Sequence, residues 1–149
     1  MQFIVCRSLA AECESVYIYL AKNGASKKEI QNYVQENYYN LDFKIDDIRK
    51  SYYFDVTCQG SFPQSVKCFL ESTNYEDCVR NCISLGGDSD TMGAMGGAIA
   101  EAFYKLPDDA HKTALHFCRP EMFCYVQALE YLYNGYKGEL LEETKKLLG

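Results

Sequence analysis

At 149 residues, 48% hydrophobic and 24% charged, the chain is long enough to bury one core and too apolar for a disordered segment. A net charge of −6 with scattered Lys and Arg leaves no basic patch, which argues against a nucleic-acid partner. No apolar run approaches membrane-spanning length and no signal-peptide pattern opens the chain, so a cytoplasmic protein with no membrane partner is expected.

Apolar positions Leu9, Cys13, Val16, Tyr17 and Leu20 recur at three- and four-residue steps, the period of an amphipathic helix that Gly24 closes. Ser26-Lys27-Lys28-Glu29 reads as a capping box opening a second helix, with Ile30, Tyr33, Val34 and Tyr38 on its apolar stripe. Residues 40–53 are irregular, and Ile45 and Ile48 around Asp46-Asp47 allow one short helical turn. Phe54 to Pro63 reads as a loop with Gly60 as its breaker. Pro63 then suits the first turn of a helix reaching Glu71 and packing Val66, Phe69 and Leu70.

Thr73-Asn74-Tyr75-Glu76 predicts a further capping box, ahead of a helix with Val79, Cys82, Ile83 and Leu85 inward. A central helix spans about Asp90 to Tyr104. Others start at Pro107-Asp108-Asp109 and at Pro120-Glu121, the latter carrying Phe123, Val126, Leu129, Leu132 and Tyr133. Gly135 and Gly138 separate that helix from a charged one over Glu139 to Leu148. With no strand-like alternation, the fold class is all-α, a single domain over residues 1–149. The eight cysteines sit beside apolar residues at helix-interior positions and read as small buried hydrophobes in a reducing compartment. Cys78-x-x-x-Cys82 has helical spacing but no second Cys or His pair, so structural zinc is not expected.

The most pointed stretch is Ser84-Leu85-Gly86-Gly87-Asp88-Ser89-Asp90-Thr91, followed by a helix stripped of bulk through Gly93, Ala94, Gly96, Gly97, Ala98 and Ala100. Asp88, Asp90 and Thr91 offer the oxygen donors that hard cations select. Each mid-helix glycine costs about 1 kcal/mol relative to alanine, so close packing or a bound ligand must compensate. Two readings stand here: helix capping with tight packing, or a metal site. A two-metal site needs carboxylates from a second segment. The acidic doublets Asp46-Asp47 and Asp108-Asp109 have the pattern of solvated helix caps instead.

The run Cys82-Ile83-Ser84-Leu85-Gly86-Gly87-Asp88-Ser89-Asp90-Thr91, with the helix continuing through Ala98-Ile99-Ala100-Glu101-Ala102-Phe103-Tyr104, resembles the C-terminal signature of the ADP-ribosylglycohydrolase family. Upstream, Tyr53 to Gln64 and Phe69-Leu70-Glu71-Ser72-Thr73 resemble the segment preceding that signature in bacterial members. The resemblance implies an all-α fold, two magnesium ions or in some members manganese, and hydrolysis of the bond joining ADP-ribose to a side chain or small acceptor. It implies Asp88, Asp90 and Thr91 as metal ligands, with Gly86, Gly87, Gln59, Gly60 and Ser61 near bound ADP-ribose.

The family's first Gly-Asp-rich motif and its Thr-Asp-Asp metal motif do not occur in this sequence, so the chain resembles the C-terminal half of a member. That departure implies a truncated product, a degenerate relative that binds ADP-ribose or metal without catalysis, or a split subunit completed by a second chain. It also implies negligible activity alone, and a glycine-lined face of the central helix left partly uncovered.

Overall fold

The computed structural model describes residues 2–133 and 142–148, all of whose regular elements are helices. The chain clusters into two compact units, Met1–Leu106 and Pro107–Gly149. The first holds α1 (Gln2–Lys22), α2 (Lys27–Asn37), α3 (Ile45–Ile48), α4 (Cys58–Glu71), α5 (Tyr75–Leu85) and α6 (Ser89–Tyr104). The second holds α7 (Asp108–Phe117), α8 (Pro120–Tyr133) and α9 (Glu142–Leu148). Among the described residues no helix is long and apolar enough to cross a membrane.

In the first unit the chain wraps α6, which packs against α5, α4 and α1. Cys13 and Tyr17 of α1, Ile30 and Val34 of α2, Phe62, Val66 and Phe69 of α4, and Ile99 and Ala100 of α6 form one fully buried cluster. A second cluster of Ile45, Cys68, Cys82, Leu85 and Met92 lies where α3, α4, α5 and α6 meet. The expected capping box at α2 is present: the Ser26 hydroxyl accepts from the Glu29 amide, and the Glu29 carboxylate accepts from the Ser26 amide at 2.8 Å. Lys27 then extends its ammonium group to the C-terminal end of α4, donating to the carbonyls of Phe69, Leu70 and Ser72. The carbonyls at a helix C-terminus retain acceptor capacity, and a cation also suits the negative end of the helix dipole.

Two helix starts differ from the sequence reading. α4 begins at Cys58 rather than Pro63. Thr57 caps it, accepting from the Gly60 amide at 3.1 Å, so Gly60 lies within the first turn and breaks nothing. Pro63 sits in the second turn; the carbonyl it leaves without a donor is that of Gln59, an exposed residue that water can satisfy. α5 is capped by Asn74 rather than Thr73: Asn74 accepts from the Asp77 amide at 2.9 Å, and the Asp77 carboxylate takes the Thr73 amide at 2.7 Å. Ile83, placed inward by periodicity, is exposed, while Cys78, Cys82 and Leu85 are buried.

The glycine stripe is also arranged differently from expectation. An added Cβ at Gly96 would lie 2.6 Å from Cys82 Sγ and 3.5 Å from Cys78 Sγ, and one at Gly97 would contact Tyr75 and Val79. α5 therefore covers both positions, and only Gly93 faces open space. In the second unit, Thr144 of α9 is buried and donates to Gln127 of α8 at 2.9 Å. The buried line of α8 runs through Cys124 and Gln127, with Leu129 and Leu132 exposed. Gly135, Gly138, and the side chains of Leu9 and Tyr133 lie outside the described residues.

Gly96→Ala should lower unfolding free energy by about 1–3 kcal/mol through overpacking, partly recovered by adding Cys82→Ala. Gly93→Ala should instead stabilise by about 0.5–1 kcal/mol through helix propensity and a less flexible unfolded chain. Urea denaturation of the three variants checks both signs.

Burial, followed by the charges of Glu12 and Glu14, pushes the Cys13 thiol up to about 12. Hydrogen bonding to Cys82 together with burial raises Cys78, and a hydrogen bond to Cys68 together with burial raises Cys82. Alkylation of the folded protein near pH 8 should label the half-buried Cys58 and Cys118 well before these three, as mass spectrometry would read.

Candidate metal centre

The acidic turn is formed by two consecutive glycines with positive φ. α5 ends at Leu85; Gly86 follows at φ 81° and ψ −152°, and Gly87 at φ 69°. Side chains are strained at such angles, so the pair permits a reversal that no ordinary residues would. It delivers Asp88 to the N-cap position of α6, where the Asp88 carbonyl accepts from the Met92 amide at 2.9 Å.

The Asp88 side chain does not cap. Its backbone, at φ −80° and ψ 64°, lies outside the extended conformation usual for a cap, and its carboxylate accepts no hydrogen bond from the following turn. It lies instead against Asp90. The Asp90 carboxyl is held below its usual range, first by hydrogen bonding with Asp88 and then by the backbone amides of Thr91 and Asp90. Asp90 and Thr91 are exposed on the first turn of α6, and Asp88 is half-buried. The ion pairs among the described residues involve neither carboxylate. Two adjacent carboxylates beside a hydroxyl, with no ammonium or guanidinium partner, form an oxygen-donor set suited to a hard cation.

The upstream residues converge on this turn through Tyr52. Its hydroxyl donates to the Gly60 carbonyl at 2.8 Å and lies 3.3 Å from Met92 Sδ. Its ring lies against Gly87, where an added Cβ would fall 2.5 Å from Cε1. Gly60 also lines a cleft of about 240 Å3 with Ile48, Ser51, Tyr52, Tyr53, Asp55 and Gln64. Gln59 is exposed in the first turn of α4, whereas Ser61 is buried and its hydroxyl donates to the Thr57 carbonyl at 2.8 Å. Of the five residues expected near a ligand, Gly60 and Gly87 are thus joined by one side chain. Gly86 adjoins them, Gln59 faces solvent, and Ser61 faces the core.

Asp55 is the residue that the sequence reading passed over. Its carboxylate accepts from the Thr57 amide at 2.7 Å and fills the space beside Gly60, where an added Cβ would come within 2.0 Å of it. Hydrogen bonds from the Thr57 hydroxyl and amide hold Asp55 below the usual carboxylate range. Burial raises the Tyr52 phenol, and the charges of Asp55 and then Asp88 raise it further, so both carboxylates act on that ring. The signal was Asp55-Val56-Thr57 followed by Gly60, an acidic turn feeding a helix cap. Asp46 pairs with Arg49 at 2.8 Å, as a solvated helix-end residue does. Asp109 belongs to the second unit.

Among the described residues no three His, Cys, Asp or Glu side chains converge to hold a metal ion. Magnesium commonly takes one or two carboxylates and keeps several waters, so Asp88, Asp90 and Thr91 fit one side of such a site by donor chemistry. Among the described residues the class is all-helical, with two aspartates following a Gly-Gly turn at the start of α6. A family model narrows the class: that of ADP-ribosylglycohydrolase matches residues 7–138. The chain belongs to the ADP-ribosylglycohydrolase family. Comparisons with curated proteins and with solved structures give no match.

Because Thr57 caps its helix and Asp88 does not, their removal should differ in cost. In metal-free buffer Thr57→Ala should lose about 1 kcal/mol, and Asp88→Ala should be near neutral or stabilising. Denaturation with a chelator present checks the pair.

Proposed function

We propose that Asp88, Asp90 and Thr91 hold one side of a magnesium site, open also to manganese, that acts on ADP-ribosyl glycosidic bonds. ADP-ribose or an ADP-ribosylated protein is then the partner. One observation carries this reading: Asp88 occupies a cap position without capping and lies against Asp90 instead. Family membership supplies the substrate class. When bound, such an ion orients oxygen groups and stabilises negative charge developing on them. The chain's own contributions are the two carboxylates, the Thr91 hydroxyl, and the backbone at Gly86, where open space lets a ligand approach closely. On the same reading Gly60 and Gln59 present the first turn of α4 to the ligand, and the contribution of Ser61 is its buried hydrogen bond to the α4 backbone.

Two carboxylates and a hydroxyl leave the remaining coordination positions to water, to ligand, or to donors outside the described residues. A second chain supplying those donors is part of the proposal. ADP-ribose binding without turnover is the second reading, favoured by the two-carboxylate count. A cytoplasmic setting accords with the cysteines, none of which is disulfide-bonded among the described residues.

Titration calorimetry should detect manganese binding to the chain, and Asp90→Asn should weaken it more than about 100-fold, beyond a typical outer-shell effect. With magnesium present, the chain alone should release negligible ADP-ribose from a modified arginine or serine peptide. Release abolished by Asp90→Ala would overturn the proposed need for a second donor set.

A further inference from the structure

Tyr52 touches three segments at one point. Its hydroxyl bonds to the first turn of α4 at Gly60, its ring packs on the Gly86-Gly87 turn, and its oxygen touches Met92 in the first turn of α6. The Tyr52 amide donates to the Ile48 carbonyl at 2.8 Å, anchoring the residue to α3. Gly87 has positive φ, and the next residue is Asp88. The ring therefore fills the space that a side chain at position 87 would need, and Met92 seats the start of α6 against the same phenol.

We infer that Tyr52 is a positioning residue for the metal centre: it holds Gly87 and Met92, and through them sets Asp88 against Asp90 and Thr91. The inference rests on the metal reading above. A buried tyrosine ordinarily finds a hydrogen-bond partner, so that bond alone is not distinctive. Here the hydroxyl bonds to a backbone carbonyl on one side while the ring limits a two-glycine turn on the other. Its loss therefore loosens the ligand turn specifically, beyond lowering stability.

The test compares Tyr52→Leu and Tyr52→Phe with Val34→Ala, a core truncation in the other buried cluster. Three readouts are taken on the intact chain: Tm, amide hydrogen exchange over residues 86–91 without metal, and manganese affinity. Tyr52→Leu should speed exchange over residues 86–91 and weaken manganese binding by about 10-fold, an effect of the size known for groups that orient metal ligands. Val34→Ala should lower Tm and leave both other readouts in place. If Tyr52→Leu does not fold, Tyr52→Phe carries the test, with about threefold losses expected from the missing hydrogen bond.

Exchange over residues 86–91 that matches Val34→Ala overturns the inference, as does unchanged manganese affinity. If the unsubstituted chain binds no manganese, the metal reading fails. The exchange measurement then decides by itself whether Tyr52 holds the turn.

Discussion

The approach of α5 to α6 at Gly96 is the constraint on which the rest of the first unit depends. Two thiols of α5 occupy the space where a side chain on α6 would stand. The backbone of α6 thereby comes close to α5, and the Cys78 thiol donates to the Gly96 carbonyl at 3.4 Å. A mid-helix glycine is unfavourable by about 1 kcal/mol, a cost that buried packing of this closeness offsets. The interhelical turn is therefore short and sharp. The two glycines with positive φ at Gly86 and Gly87 follow from closing it between two helices in contact.

Once the turn is fixed, its chemistry follows from what the carboxylates do not do. An aspartate before a helix ordinarily gives its oxygen to a backbone amide in the next turn. Asp88 instead leaves those amides and lies beside Asp90, whose carboxyl is held below its usual range first by hydrogen bonding with Asp88. An aspartate that does not cap its own helix is available for the ligand role proposed above. The solvent-facing residues of α6 point the same way. Asp90, Thr91 and Ala94 are exposed on its first two turns, so α6 itself sets no bulky side chain on that face beside the donors.

Sequence and structure agree where local chemistry is self-contained. The Ser26–Glu29 box, the Gly24 terminator and the single turn at Ile45–Ile48 were legible because each depends on residues within a few positions. The start of α4 was not, since a proline inside the second turn suggested a later beginning and the stronger cap at Thr57 decided otherwise. Ile83 and Leu85 show the limit of periodicity: both are apolar, and only the course of α5 over α6 determines that Leu85 turns inward. Asp88, Asp90 and Thr91 could be nominated from spacing. Asp55 was signalled only as an acidic residue ahead of a helix cap, because its place beside Gly60 and Tyr52 is a tertiary fact.

That tertiary fact changes how the site should be understood. Spacing alone suggests three donors on one turn, a local feature open to any helix start. The fold places a second carboxylate segment behind the same tyrosine, with Asp55 bonded to the cap of α4 and lining the adjoining cleft. Asp55 and Asp88 both raise the Tyr52 phenol, so the negative potential extends across the ring rather than ending at the turn. A cation held at Asp88 and Asp90 as proposed would approach through a field shared by two helix starts. The first turns of α4 and α6 act as one electrostatic surface because a single aromatic side chain joins them.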